Sequence, residues 1–360
     1  MPFLQGMGQH QALAELRRGL MAQLDWTSTL PWLAMAATVA AAGAWLARRH
    51  ALRHGLLDMP GERRSHEVPT PRGGGIGIAV AWLLACVALA AEGRLPGPLA
   101  AAAVAGVLLV GGAGYIDDHR PLSPWWRLAA HLVAGLALAA GLVAAGGAAW
   151  LAAAALLAVP VLVNVWNFMD GIDGLATSQG ALVAVGFALL SGDPGAALAA
   201  LGLAAACLGF LPFNFPRATI FLGDVGSGVL GFALAVLAVL LLLPERTAEG
   251  AGLVPLVFLP LSAFLIDAAL TLARRIVRRE RWWSAHVGHA YQRLAAARGS
   301  HVPVTLLYGA WTLAAVVMAS AAEGHGVTIG LALAVICVVT GTLAWHAITN
   351  ADHIRKRNAR

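Results

Sequence analysis

Charge is scarce in this 360-residue chain. Only 12% of its residues are Asp, Glu, Lys or Arg, about half the roughly 25% usual in soluble domains, while 59% are hydrophobic. That balance excludes a soluble globular fold, and the charged residues stand in short islands between apolar runs of roughly bilayer-spanning length. Lysine is nearly absent, Lys356 being the only one, so the net charge of +6 rests on arginine. In a membrane chain such an excess is first a topology signal. It also suits anionic lipid and phosphate-bearing ligands, and nothing in its placement indicates nucleic acid. Cysteine is sparse as well: Cys86, Cys207 and Cys337 each lie inside an apolar run without disulfide or metal-ligand spacing, which makes them packing residues. Short strands of alternating polarity are missing, which excludes a membrane barrel and leaves helices as the element that satisfies its own backbone in lipid. There is no GxGxxG after a strand and no HExxH, so neither a dinucleotide fold nor a zinc-protease helix is indicated. A cleavable signal peptide is also not expected, because the apolar run after Arg17 and Arg18 is long enough to remain as a span.

What is present is an all-α, polytopic pattern of eleven apolar runs, near 28–47, 73–91, 98–116, 126–145, 148–165, 175–191, 195–213, 226–243, 252–272, 303–321 and 326–347. One membrane domain over 28–347 follows, with an external N-terminal segment 1–27 and a basic tail 348–360. With the N-terminus outside, the inside loops are 48–72, 117–125, 166–174, 214–225 and 273–302. These loops, the tail and their flanks hold 20 of the 24 Lys and Arg residues, all but Arg17, Arg18, Arg94 and Arg246. The outside loops are short and poor in chemistry, so function is expected on the cytoplasmic face.

The stretch Asn164-Val-Trp-Asn167-Phe-Met-Asp170-Gly-Ile-Asp173-Gly clusters two amides and two carboxylates between apolar runs. Asn164 and Asn167 share one helical face, and so do Asp170 and Asp173 if the turn continues. Either they cap a helix end or they bind something polar. In the first inside loop Arg63, Arg64, Arg72 and His66 form a cationic rim before Gly73–Gly75, whose backbone can approach a phosphate or another helix. Asp117-Asp118 opens the next loop; adjacent carboxylates repel unless a cation or a basic group such as Arg120 or Arg127 stands by, and oxygen-only ligands suit Mg²⁺, not zinc. Asp224 lies between Gly223 and Gly226 at the start of a span, either a helix cap or an anion site. In the long loop, His286, His289 and Arg293 fall at i, i+3 and i+7, as on one helical face of donors for phosphate or sugar. Asp267 is an intramembrane acid that either pairs structurally or lines the site.

Taken in order and on one membrane side, Asp117-Asp118, the Asn164–Gly174 stretch, Phe221-Leu-Gly-Asp224-x-Gly-Ser227 and His286-x-x-His289 resemble the polyprenyl-phosphate N-acetylhexosamine-1-phosphate transferase family, over roughly residues 30–345. The resemblance implies transfer of a sugar 1-phosphate from a UDP-N-acetylhexosamine to undecaprenyl phosphate in the bacterial inner membrane, with UMP released and Mg²⁺, or Mn²⁺, required. On that likeness Asp224 is a metal ligand, Asp118 helps hold the metal and phosphates, and Asp117 sits beside the lipid phosphate. Asn164, Asn167, Asp170 and Asp173, with Arg72 and Arg120, shape the nucleotide and phosphate site, while His286, His289 and Arg293 bind the diphosphate or sugar. A lipid phosphate is already largely ionised at neutral pH, so Asp117 is expected to position rather than to act as an obligatory base.

Two departures stand out. The lysine that family members often carry after the aspartate pair is absent, leaving Arg120 and Arg127. The late loop reads His-Val-Gly-His and not three consecutive histidines, which resembles the O-antigen-initiating branch and argues against the phospho-MurNAc-pentapeptide substrate. The sugar is left open among GlcNAc, FucNAc and QuiNAc, and a homodimer is left open too. A divalent-cation or lipid transporter is the reading from another class, but transporters place their acids near the bilayer midplane, and here most lie at span ends.

Overall fold

The computed structural model describes residues 24–59, 61, 68–243, 250–281, 283–284 and 286–358. Among the described residues twelve helices carry the fold: α1 (Trp26–His54), α2 (Ile76–Ala91), α3 (Gly97–His119), α4 (Pro124–Ala144), α5 (Ala149–Phe168), α6 (Leu175–Leu190), α7 (Pro194–Asn214), α8 (Gly223–Leu241), α9 (Gly250–Val277), α10 (Ala290–Arg298), α11 (Val302–Ala322) and α12 (Val327–Asn358). Between α1 and α2 lies one small antiparallel pair, β1 (Leu57–Asp58) and β2 (Thr70–Pro71). Among the described residues nine helices are long and apolar enough to cross a bilayer, and α2 and α6 are shorter apolar helices of 16 residues each. Together these are the eleven expected spans, and the chain is an all-α polytopic membrane protein; α10 is a short surface helix.

Local chemistry sets several helix starts. The Asp25 carboxylate accepts the Thr27 N–H at 3.0 Å to open α1, and Asp193 accepts the Ala196 N–H at 2.7 Å to open α7. Proline occupies the first turn of α3, α4, α7 and α11, where its missing N–H costs nothing.

The bundle is organised around α8, which is buried from Val225 to Leu241 and ringed by α2, α3, α5, α6, α7 and α9. Without a hydrophobic drive between helices in lipid, close approach of small residues supplies the packing. Gly106 of α3 lies under the Phe232 ring of α8, and Gly231 of α8 lies against the Leu162 carbonyl of α5; a methyl group at either position would overlap its neighbour. At the entry to α2, a Cβ on Gly75 would sit 2.2 Å from the Cα of Gly226. Gly74 and Gly75 donate their N–H groups to Phe221 and Leu222 carbonyls at 2.9 and 2.8 Å, and Phe221 donates to Pro71 at 2.8 Å. The glycine run therefore serves to bring two backbones together.

Several boundaries differ from the sequence reading. Asp117 and Asp118 lie on the last turn of α3, not in a loop, because α3 continues to His119. Asn167, expected in the loop 166–174, lies on the last turn of α5. The tail from 348 continues α12 to Asn358 without a break, and α1 already begins at Trp26. Arg63, Arg64 and His66 of the expected cationic rim lie outside the described residues, as does most of the segment 1–27.

The Gly75–Gly226 contact yields a stability test. Gly75→Val is expected to lower the thermal unfolding temperature in detergent, with a loss of about 1–3 kcal/mol from overpacking. Gly112→Ala, where an added methyl meets nothing within 4 Å, should leave it unchanged or slightly raised.

Candidate active site

Loops and helix ends on one side of the bundle meet in a polar cluster. Its anchor is Asp118, whose side chain is only 3% exposed. Arg72, just before α2, donates to Asp118 Oδ1 through Nε at 2.9 Å and Nη2 at 2.7 Å. The first N–H groups of α8 reach the same carboxylate: Asp224 N to Oδ1 at 3.0 Å and Val225 N to Oδ2 at 3.3 Å. Asp118 thus serves from another helix as the anion at the positive end of α8. Gly223 permits this, since at φ +77° a side chain there would press on Asp118 Oδ2 and Gly73 N, both 2.7 Å from its Cβ.

Because Asp118 satisfies the start of α8, the Asp224 side chain is not the helix cap and turns to the cluster. Asn167 Nδ2 donates to Asp224 Oδ1 at 2.9 Å and approaches Ser227 Oγ at 3.3 Å. Arg127, from the first turn of α4, places one Nη1 at 3.0 Å from Asp117 Oδ2 and 3.6 Å from Asp224 Oδ2. Asp117 and Asp224 sit against one another, and Asp117 also accepts the Leu122 N–H. Two carboxylates so close repel unless they share a proton or a cation stands by, and here the Arg127 guanidinium reaches both. Asn164 lies one turn deeper, donating to the Pro160 carbonyl at 2.7 Å and approaching His131 Nδ1 at 3.3 Å. Arg127, His131, Asn164, Asn167 and Asp224 line a small cavity of about 20 Å³ between α3, α4, α5 and α8.

The turn after α5 brings Asp170 and Asp173 to the same side. Burial, reinforced by the nearby Asp118 charge, pushes the Asp170 carboxyl up to about 7. Asp173 is held by His301, whose Nδ1 lies 3.1 Å from Asp173 Oδ2 and 3.3 Å from its backbone N, while Thr305 donates to the Asp173 carbonyl at 2.8 Å. Gly174, at φ +71°, donates to Asn214 Oδ1 at 3.0 Å, and Asn214 Nδ2 donates to the Ile220 carbonyl at 3.2 Å. That buried amide ties the 169–174 turn to the segment leading into α8.

His286 and His289 do not lie on a helical face with Arg293. They occupy irregular chain before α10, with rings stacked at 4.9 Å, and only Arg293 is helical. The cause is Asp267 of α9, which is 3% exposed and accepts from Ala290 N at 2.9 Å, Tyr291 N at 3.1 Å, Tyr308 Oη at 2.8 Å and Thr271 Oγ1 at 3.1 Å. It fixes the start of α10 at Ala290, so helical spacing cannot extend back to His286. Asp267 therefore has a structural role, with His289 Nδ1 3.6 Å away. Tyr291 Oη donates to the Phe168 carbonyl at 3.0 Å, docking the histidine segment beside the end of α5, and Gly171 leaves room for that hydroxyl. Burial, with the neighbouring His289, Arg275 and Arg274 charges, pushes His286 down to about 4, so its ring is neutral at pH 7. Arg120 is exposed and makes no side-chain hydrogen bond or ion pair with a described residue. Arg293 donates through Nε to the Gly288 carbonyl at 3.1 Å and lines a separate cavity beside α12.

Sequence reasoning did not single out His301, Tyr291 or His131. A histidine at the start of a span on the loop-rich side was the available signal for His301; the other two carry no sequence mark, because only packing brings them to Asn164 and Phe168.

Comparison with known proteins shows which sequences this chain is similar to. The model for glycosyl transferase family 4 matches residues 100–242, which hold Asp117, Asp118, the Asn164–Asp173 stretch and Asp224. The decaprenyl-phosphate N-acetylglucosaminephosphotransferase of Mycobacterium tuberculosis is 33% identical over 310 residues, 73% of this chain and 75% of that protein. A probable undecaprenyl-phosphate N-acetylglucosaminyl 1-phosphate transferase of Bacillus subtilis is 28% identical over 315 residues, 82% and 84% of the two chains. A phospho-N-acetylmuramoyl-pentapeptide-transferase of a Synechococcus species is 52% identical, but over 77 residues, 21% of this chain and 23% of that protein.

The raised Asp170 carboxyl gives a pH test. In the unfolded chain it ionises near 3.8, in the folded protein near 7, so stability is lost as pH rises between those values. Asp170→Asn escapes that loss. Its melting temperature relative to wild type is expected to climb between about pH 5 and about pH 8 in detergent without divalent cation; a pH-independent difference would show that Asp170 stays ionised throughout.

Proposed function

The chain belongs to the polyprenyl-phosphate N-acetylhexosamine-1-phosphate transferase family, glycosyl transferase family 4, and on that premise we propose that it moves an N-acetylhexosamine 1-phosphate from a UDP-sugar to undecaprenyl phosphate. The observation that carries this reading is the meeting of Asp117, Asp224, Asn167 and Arg127 at one point, from three helix ends and the first turn of a fourth. The site faces the cytoplasm, where the arginine-rich loops lie. In the bacterial inner membrane, the product starts O-antigen or a related envelope polysaccharide.

The chain's own groups suit a hard divalent cation. Mg²⁺ is commonly held by one or two carboxylates together with substrate phosphates, and here the Asp117 and Asp224 carboxylates face one cationic position, with the Asn167 amide on Asp224. Asp117 and Asp224 would hold Mg²⁺ or Mn²⁺, and the ion would neutralise charge on the diphosphate during transfer. Asp118, expected beside the metal, spends its oxygens on Arg72 and the start of α8, which makes it the group that positions Asp224.

In the proposed reaction an oxygen of the lipid phosphate forms a bond to the β-phosphorus of the UDP-sugar. The bond from that phosphorus to the oxygen bridging the α-phosphate breaks, and UMP leaves with the electron pair. The sugar's anomeric C–O bond is untouched, so its configuration carries through. Such a transfer needs alignment and charge neutralisation more than covalent chemistry. Arg127 supplies positive charge where family members often have a lysine, and Asn167 fixes the Asp224 carboxylate. Asp170 and the His301-held Asp173 face the nucleotide, and the neutral His286 ring, stacked on His289, faces the diphosphate or sugar. The single histidines at 286 and 289 favour a simple N-acetyl sugar over the pentapeptide substrate.

Membranes carrying the protein are expected to release UMP and form a lipid-linked sugar from labelled UDP-GlcNAc, undecaprenyl phosphate and Mg²⁺. A panel of UDP-N-acetyl sugars should single out one. Asp224→Asn and Asp117→Asn should each lower kcat about 100-fold or more, with folding retained by thermal unfolding. Arg127→Ala should lower kcat by a similar order, and Arg127→Lys should recover part of it. If Asp117 positions and does not deprotonate, the wild-type pH–rate profile has no acid limb that disappears in Asp117→Asn.

A further inference from the structure

The small cavity under Asp224 is lined by two polar side chains that the transfer chemistry leaves without a task. Three helices each bring two successive turns to it: Arg127 and His131 from α4, Asn167 and Asn164 from α5, Asp224 and Gly228 from α8. The first member of each pair belongs to the carboxylate cluster. The second lies one turn deeper in the bundle. Gly228 keeps that deeper level open, since a Cβ there would stand 2.9 Å from Val110 Cγ1 on the wall of the same cavity.

Hydrogen bonds fix how His131 and Asn164 present themselves. Asn164 Nδ2 donates to the Pro160 carbonyl at 2.7 Å, which sets the orientation of the amide, and its other N–H faces His131 Nδ1 at 3.3 Å. A ring nitrogen that faces an N–H must accept, so the His131 ring carries its proton on Nε2. Among the described residues nothing accepts from His131 Nε2 and nothing donates to Asn164 Oδ1. His131 is only 8% exposed. An unpaired donor and an unpaired acceptor at that depth are both costly, and both border one cavity.

From this geometry we propose that the cavity binds one ordered water, and that through it His131 and Asn164 are positioning residues for Asp224. A volume of about 20 Å³ exceeds the roughly 10–15 Å³ that a single water needs, and a buried water makes about three hydrogen bonds. Here it accepts from His131 Nε2, donates one hydrogen to Asn164 Oδ1 and donates the other to the Asp224 carboxylate. A water fits where an ion does not: a cation would meet Arg127 and the His131 N–H, and an anion would meet Asp224. Asp224 is then held on one side by Asn167 at 2.9 Å and on the other by a water that α4 and α5 fix in place. This role rests on the reading of Asp224 as a ligand of a divalent cation. Outer partners that orient a metal-binding group typically change affinity or activity about 10–100-fold when removed.

The test uses the full-length protein in detergent and reads Mn²⁺ binding by electron paramagnetic resonance, without turnover. His131→Leu, of similar size but with no polar atom, should weaken Mn²⁺ binding about 10–100-fold. His131→Gln, whose amide can donate from the same depth, should recover most of that loss. A density map that resolves ordered waters should show one between His131 and Asp224. If both variants merely melt at lower temperature and bind Mn²⁺ as the wild type does, while Asp224→Asn loses it, the positioning role falls and the cation reading stands. If wild type binds no Mn²⁺, or Asp224→Asn binds it unchanged, both fall together. A map with no density in the cavity would overturn the water site.

Discussion

Everything at the site-bearing end of this protein depends on the Asp118 carboxylate. It receives the Arg72 guanidinium and the first N–H groups of α8, so one side chain joins the end of α3, the entry to α2 and the start of the central helix. Each of those partners would be costly to bury alone: a guanidinium beneath an apolar bundle, and helix-start amides with no local cap. Removing Asp118 would strand the helix-start amides, whereas Arg72, whose side chain is 27% exposed, would still have Asp58 at 3.7 Å. With Asp118 committed, the adjacent Asp117 and the Asp224 it positions are the carboxylates left to face Arg127.

Polar groups in this fold are held by partners from distant segments. Asp267 shows the same logic as Asp118 roughly twenty residues before α10: a buried acid at the start of a short helix, with two backbone amides and two hydroxyls on it. Asn214 performs the neutral version, linking the Gly174 N–H to the Ile220 carbonyl. In an apolar medium an unpaired polar group costs several kcal/mol, so each such group must find its complement, and the loops that supply complements are thereby fixed to one another. The close glycine contacts between α2, α3, α5 and α8 set the distances over which those bonds can form. Rigidity of the site follows from both.

The fold is largely legible in the sequence because lipid enforces a simple rule. Apolar runs of spanning length become helices, and all eleven expected runs do. The differences fall at the ends, where charge and amide content point to loops for Asp117-Asp118 and Asn167, and the chain is helical. A charged or amide side chain does not stop a helix when a tertiary partner satisfies it, and Asp118 and Asn167 find such partners on segments far along the chain. The histidine pair differs in the opposite sense. Regular i, i+3, i+7 spacing suggests a helix at 286–293, but Asp267 captures the amides of Ala290 and Tyr291 and starts the helix there.

The order of the residues alone determined the class of the molecule, its spans and the set of acids, amides and histidines gathered on one side, because bilayer burial and helix geometry act on composition and spacing. Which acid faces which cation was decided only by the packed structure. Asp117 and Asp118 are chemically identical neighbours, and a turn of about 100° per residue around α3 sends one toward Arg127 and the other under α8. His301 on Asp173 and His131 beside Asn164 belong to the same category, since contacts between segments far apart in the chain leave no periodic trace in it.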